Sequence, residues 1–402
     1  MRRVVVTGMG IWSCIGQDLQ TVIESLKTGR SGIVFDPKRI EYGLQSGLVG
    51  NVPRPDLKPL LPRKFRATMS EDAEYAYMAA RQAFEQAGIN DEYLQQNEVG
   101  CIWGSDGNPF FAEVGKIMDE KHDSFCVRPQ SQFIGETSSI SMNLSTIFHL
   151  KGIGLSVGAA CASASHAIGI GKMLIQNTTQ NIIIVGGASG LSNTSQTISD
   201  MVGFGFPTSI DQFSPFSKEG LGLIESGGGA ALVLEEYEHA ISRGVPIFAE
   251  IIGYGAYSSS DKITYHPIAS SGVQAMKNAL KDADISVDEI DYINPSATGA
   301  MIDDTECIDA LKQLLQGGNQ MISSTEAITG HENWMLGASK VVYNILMMQN
   351  GFIAPNIRLR ERNENANNLN IVVECTNISI DVSATFCAGM GGSSSAIILR
   401  KV

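Results

Sequence analysis

An α/β protein whose two similar halves stack into a layered α-β-α-β-α core is predicted by three observations. Short β-branched runs alternate with helical stretches along the whole chain. Two of those runs enter glycine-rich stretches of matching character, Ile182-Ile183-Ile184-Val185-Gly186-Gly187-Ala188-Ser189-Gly190 and Phe386-Cys387-Ala388-Gly389-Met390-Gly391-Gly392-Ser393-Ser394, which points to duplication. The length, 402 residues, is ample for a large core and for about two to three domains.

In chain order, Val4-Val5-Val6 reads as a strand buried on both faces, and Thr7-Gly8-Met9-Gly10 ends the apolar run before the core of a signal sequence could form. Residues 70–87 carry an acidic first turn and then Ala and Met at helical spacing, the pattern of a helix packed on a sheet. Strands follow at Val99-Gly100-Cys101-Ile102-Trp103, Ile182-Ile183-Ile184-Val185, Ala231-Leu232-Val233-Leu234 and residues 248–252. The division between halves is placed near Tyr254-Gly255-Ala256-Tyr257, ahead of Ser258-Ser259-Ser260-Asp261, giving 1–253 and 254–402. A helix at 272–283 and a last strand at Ala396-Ile397-Ile398-Leu399 complete the second half.

Composition narrows the function. With 43% apolar and 18% charged residues the chain is globular, not disordered. A net charge of −13, from 29 basic and 42 acidic residues, argues against a polyanion-binding surface. Seven cysteines without a CxxC pair indicate neither a disulfide framework nor a zinc site, and so a reducing compartment such as the cytoplasm. No apolar run approaches the roughly 18 residues of a membrane span. The glycine-rich stretches lack the Lys-Ser/Thr of a phosphate loop and the dinucleotide fingerprint, so no bound cofactor or metal is expected.

The most informative stretch is Leu155-Ser156-Val157-Gly158-Ala159-Ala160-Cys161-Ala162-Ser163-Ala164-Ser165-His166. A strand reaches a sharp turn of small residues, and Cys161 stands at the entrance to a helix whose Ala164, Ala167, Ile168, Met173 and Leu174 read as one apolar side. A helix N-terminus favours a thiolate, which makes Cys161 a nucleophile candidate. The alternative is a small buried cysteine on a packed helix.

This elbow resembles the active site of the β-ketoacyl-acyl-carrier-protein synthases, the decarboxylating condensing enzymes with the thiolase fold, closest to the ketoacyl synthase I and II branch. The likeness spans almost the whole chain: Val4-Val5-Val6-Thr7-Gly8-Met9-Gly10, Pro215-Phe216, Glu225-Ser226-Gly227-Gly228-Gly229, Thr329-Gly330-His331, Leu336-Gly337-Ala338, Gly351-Phe352-Ile353-Ala354-Pro355 and Gly389-Met390-Gly391-Gly392. The resemblance implies that Cys161 takes the acyl chain as a thioester. It implies that His331 donates to the malonyl thioester carbonyl, and that the backbone N–H groups of Cys161 and Met390 form an oxyanion hole. Phosphopantetheine would arrive on the acyl carrier protein, with Thr298 as the surviving pantetheine contact and Ala300 in place of a second threonine.

Several positions depart from the family. In Tyr292-Ile293-Asn294-Pro295-Ser296-Ala297-Thr298-Gly299, Ser296 stands where the family has its first catalytic histidine. A hydroxyl cannot carry the charge or basicity of an imidazole, a loss of about 10²- to 10⁴-fold. Glu326 replaces the family's lysine. A carboxylate about 4 Å from a developing enolate disfavours it by roughly 4 kcal/mol at an effective dielectric near 20, unless it is protonated or paired. Ala388 and Met390 replace two phenylalanines, one of them the gate of the acyl pocket. A three-residue lengthening, Glu332-Asn333-Trp334-Met335 before Leu336, is expected to shift His331 from its usual geometry.

This pattern resembles the chain-length-factor subunits of type II polyketide and aryl-polyene-type systems, which pair with an active ketosynthase, although aromatic polyketide factors usually lack the cysteine retained here. The resemblance implies a dimer formed by edge pairing of residues 153–157, with Phe133, Met142 and Ile147 near the partner's pocket or in the core. Arg63, Lys64 and Arg66 are the candidate carrier-protein surface. Three readings stand: a partner subunit in a heterodimer, an active synthase using Cys161, His331 and Ser296, or a Cys161-dependent acyltransferase without decarboxylation.

Overall fold

The computed structural model describes residues 1–106, 110–191, 205–259 and 266–402. Eleven strands form one mixed sheet: β1 (Val4–Ser13), β2 (Gly100–Gly104), β3 (Gly154–Val157), β4 (Ile182–Ser189), β5 (Gly228–Glu236), β6 (Ala249–Ser258), β7 (Tyr292–Pro295), β8 (Met321–Ile322), β9 (Asn370–Ile371), β10 (Val382–Ala388) and β11 (Ser393–Arg400). Their order is β9-β8-β7-β10-β11-β6-β1-β5-β4-β2-β3. Outward from the β1/β6 seam, the first half runs β1, β5, β4, β2, β3 and the second β6, β11, β10, β7, β8, each with two antiparallel pairings followed by two parallel ones. The same supersecondary unit therefore occurs twice, and the halves join where β1 meets β6 antiparallel at Val5–Glu250 and Val6–Ala249.

Five helices layer this sheet: α1 (Glu71–Gln86), α2 (Ser163–Gln176), α3 (Ala269–Ala283), α4 (Met301–Leu315) and α5 (Leu336–Asn350). Helix α1, N-capped by Ser70 and acidic in its first turn, covers the outer face of β1, β5 and β4. Helix α3 covers the outer face of β6 and β11, with α4 beside it. Helices α2 and α5 lie between the halves, touching strands of both, and their apolar faces fill the largest core cluster with Val6, Ile11, Leu232, Ile251 and Ile397. This is the layered α/β core of the thiolase-like fold.

Several sequence boundaries move for physical reasons. Strand β1 runs on through Thr7-Gly8-Met9-Gly10, because those glycines admit a helix and do not make a turn. A Cβ on Gly8 would stand 2.1 Å from the Ala83 carbonyl oxygen, and one on Gly10 would stand 2.0 Å from that of Ala79. Gly186 and Gly187 likewise lie inside β4, whereas Gly391 and Gly392 turn the chain at φ +76° and +75°. The 253/254 division falls within β6, the strand that opens the second half; Ser260 and Asp261 lie outside the described residues. On α2, Ala164, Ala167 and Ile168 are fully buried, but Met173 faces outward at 48% exposure, since it lies half a helical turn around from Ala164.

Candidate active site

The elbow is a strained turn pinned by polar groups. After β3, Ala160 adopts a left-handed backbone (φ +48°), unusual for a residue with a side chain. Its N–H donates to Asp106 Oδ2 (2.5 Å), while Ser163 Oγ accepts from Ala159 N (2.8 Å) and donates to the Ala160 carbonyl (2.6 Å). Burial pushes the Asp106 carboxyl up, and the Ala160 N–H partly offsets it. Cys161 follows in the single 3-10 turn Ala160–Ala162 ahead of α2, partly exposed between buried neighbours. The turn thus presents the thiol at the positive end of α2.

The second half supplies the groups that face it. A short helix, Glu326–Thr329, ends at Gly330 (φ +76°), and His331 is fixed there by two backbone bonds, its N–H to Ile224 O (2.7 Å) and its carbonyl from Ser226 N (2.8 Å). His331 Nε2 lies 3.0 Å from Cys161 Sγ, and Nδ1 lies 2.6 Å from Glu326 Oε2. Burial alone would lower the His331 pKa, but the Cys161 sulfur and the Glu326 carboxylate outweigh it and hold the imidazole well above its ordinary value. Burial likewise pushes Glu326 up, yet Lys340 and His331 prevail and hold it below the usual carboxylate value. The row Cys161–His331–Glu326 has the connectivity of a nucleophile, a base and a group that orients the base. His331 is placed to take the thiol proton, and Glu326 to stabilise the imidazolium that results.

Two expectations bear on this arrangement. With the lengthening after it, His331 lies within hydrogen-bond distance of Cys161. The extra residues form a 3-10 turn, Asn333–Met335, packed against β4, and Glu332 is buried with hydrogen bonds from Ser339 Oγ (2.5 Å) and Tyr343 OH (2.7 Å). Glu326 meets the condition of being paired, because Lys340 Nζ from α5 lies 3.3 Å from Glu326 Oε1 with both side chains fully buried. Sequence reasoning missed Lys340, although a lysine in Leu336-Gly337-Ala338-Ser339-Lys340-Val341-Val342, otherwise a core helix, was the available signal.

The other anticipated residues separate into near and far. Gly389 brings the glycine-rich loop over the elbow: a Cβ there would stand 2.9 Å from Ala159 O and 3.5 Å from Cys161 N. That sets the backbone leading into Met390 beside the Cys161 amide. Ser296, just past β7, donates its N–H to Phe386 O (2.9 Å) and lines a small cleft with Asp303, Glu306, Phe386 and Ala388. Among the described residues no hydrogen bond joins Ser296 to Cys161 or His331. Thr298 Oγ1 donates to Asp303 Oδ2 (3.1 Å) and accepts from Ala300 N (3.2 Å), so its hydroxyl proton is already engaged. Phe133 is half-exposed on the helix Gln130–Gly135, outside the hydrogen-bonded cluster.

Comparison with known proteins identifies the family. Residues 1–240 match the β-ketoacyl synthase N-terminal domain, and residues 248–360 the β-ketoacyl synthase C-terminal domain. The chain is 34% identical to 3-oxoacyl-[acyl-carrier-protein] synthase 1 of Escherichia coli (strain K12) and 28% identical to 3-oxoacyl-[acyl-carrier-protein] synthase 2 of Vibrio harveyi. All of this chain and 100% and 99% of those proteins are covered. The crystal structure of a β-ketoacyl synthase from Burkholderia phymatum STM815 superposes with a TM-score of 0.94 at 30% identity over the whole of both chains. The ishigamide ketosynthase/chain length factor superposes at 0.92 and 23% identity, covering all of this chain and 99% of that one, a likeness of fold.

Proposed function

The chain belongs to the β-ketoacyl synthase family, and we propose that it is the chain-length-factor-type partner of an active ketosynthase, in a heterodimer that elongates carrier-bound acyl or polyene chains. The observation that carries this reading is the single imidazole at the thiol. Among the described residues His331 is the histidine that hydrogen-bonds to Cys161, and Ser296, standing where the family has its other catalytic histidine, hydrogen-bonds to neither. Since Lys340 pairs with Glu326, the argument for weakened decarboxylation rests on Ser296 alone.

Other features fit. Strand β3 is one of the two edge strands of the sheet among the described residues, and its Leu155 is 39% exposed, as edge pairing with a homologous subunit requires. Phe133 stands exposed on the helix Gln130–Gly135, where a partner's tunnel could end. Arg63 and Lys64 are exposed on the short helix Arg63–Arg66, a cationic surface for an acidic carrier protein that brings phosphopantetheine past Thr298 to Cys161. Ala388 and Met390 leave a less guarded acyl pocket than two phenylalanines would. Seven unbridged thiols suit a reducing compartment such as the cytoplasm, and among the described residues no helix is long and apolar enough to cross a membrane.

The Cys161–His331–Glu326 row favours a second reading, acyl transfer through a Cys161 thioester without decarboxylation, compatible with the first. Mass spectrometry of the purified chain with acyl-carrier and malonyl-carrier protein, alone and with a Cys-His-His homologue, decides between them and ordinary condensation. The proposal expects acylation of Cys161 without ketoacyl product alone, and product with the homologue that survives Cys161→Ala in this chain. Ketoacyl product from this chain alone, abolished by Cys161→Ala, overturns it in favour of an active synthase using Ser296.

A further inference from the structure

We propose that Lys340 is a positioning residue of the thiol site: its ammonium holds Glu326 as the partner of His331 and ties that pair to the strand end that carries Ser296. The proposal rests on Cys161 being the reactive thiol and not on the identity of any partner subunit.

The geometry is specific. Lys340 is fully buried on α5, next to Val341 and Val342, which are also fully buried. Its ion pair runs to Glu326 Oε1 (3.3 Å), while its hydrogen bonds go to Asn294 Oδ1 (3.0 Å) and the Pro295 carbonyl (2.8 Å), the two residues before Ser296. Asn294 completes the brace: its Oδ1 accepts from Thr325 N (3.2 Å), and its Nδ2 donates to Thr325 Oγ1 (3.2 Å) and Asn344 Oδ1 (3.1 Å). One ammonium thus touches Glu326 directly and the residue before it through Asn294. Burying an ammonium costs several kcal/mol unless it is paired and hydrogen-bonded, so packing alone does not call for a lysine here.

Charge makes the same argument. Glu326 and His331 are faced by Cys161 from the elbow, by Asp304 and Cys307 from α4, by Cys387 from β10, and by Glu332 and Lys340 from the segment after His331. Apart from His331 and Lys340 these are carboxyls and thiols, none of which offers a positive charge to Glu326. Glu326 has two ion-pair partners among the described residues, His331 and Lys340. When the thiol proton moves to Nε2, the row reads thiolate, imidazolium, carboxylate, ammonium, with alternating signs and no net charge. Without Lys340 the carboxylate loses its second partner, takes up a proton more readily, and ceases to support the imidazolium.

The test is the pH dependence of Cys161 alkylation by iodoacetamide in the full chain, read peptide by peptide because Cys126 and Cys375 are exposed. Lys340→Met is expected to move the midpoint up by about one pH unit and to slow alkylation near pH 6.5 about tenfold. Lys340→Arg, which keeps the cation, restores most of the rate. Glu326→Gln shifts the profile the same way, and Lys340→Met then adds nothing to it. That neutral pair buries no lone charge, so it serves even if Lys340→Met does not fold. A Lys340→Met profile that coincides with the parent, or an equal further loss on adding Lys340→Met to Glu326→Gln, overturns the proposal. Neither needs a carrier protein or second subunit, so failure here leaves the partner-subunit reading standing.

Discussion

The elbow of the first half and the charged cluster of the second meet at one sulfur atom, yet they are built by different means. At the elbow the work is done on the backbone: a left-handed Ala160, three hydrogen bonds that tie backbone groups to the side chains of Asp106 and Ser163, and a helix end behind Cys161. In the cluster it is done by side chains whose charges depend on each other, His331 on Glu326 and Glu326 on Lys340. A backbone device keeps its shape through small residues and through an acceptor for each pinned N–H, and neither depends on a balance of charge. A charge device works only while all its members are present, and Glu326 has a buried lysine opposite it.

Restoring the missing group tests that contrast most severely. Ser296→His is expected to raise malonyl decarboxylation by the chain alone by about 10²-fold or more, measured as release of carbon dioxide from malonyl-carrier protein. No gain, with the fold intact by circular dichroism, would mean that the side chains around β7 and not the missing imidazole limit the chemistry.

A middle-sized effect is expected at the elbow. Asp106→Ala leaves the buried Ala160 N–H without its acceptor and is expected to lower stability by about 2 kcal/mol, with slower acylation of Cys161, followed by urea denaturation and mass spectrometry. Unchanged acylation would show that the turn is held by Ser163 alone.

The smallest effect concerns Glu332, buried beside the cluster. Burial pushes its carboxyl up to about 7 from an ordinary 4.5. Between those values the folded chain holds a proton that the unfolded chain releases, so stability falls as pH rises through this window. Glu332→Gln is expected to remove about 1 kcal/mol of that fall between pH 6 and 8, seen as a flatter plot of urea stability against pH. Asp72 and Asp304, with carboxyls raised by burial to about 7 and 8, contribute with the same sign, so the difference between parent and variant isolates Glu332. Parallel plots would place the Glu332 proton elsewhere in the cluster.

Periodicity and composition alone made much of the molecule legible. Alternating buried strands and amphipathic helices identified the layered α/β core, matching runs revealed the duplication, and small residues before Cys161 marked the elbow. These are local signals, set by which side chains exclude water and which backbone angles small residues permit. The two glycine-rich stretches show the limit. They read alike, but Gly186 and Gly187 lie inside a strand and Gly391 and Gly392 make a turn, a difference set by what packs against them. Lys340 and Glu326 lie 14 positions apart, and nothing local says that a carboxylate on one helix meets an ammonium on another. Only the tertiary structure could decide that pairing, because the sign and strength of a buried charge depend on its neighbours in space and not on its neighbours in sequence.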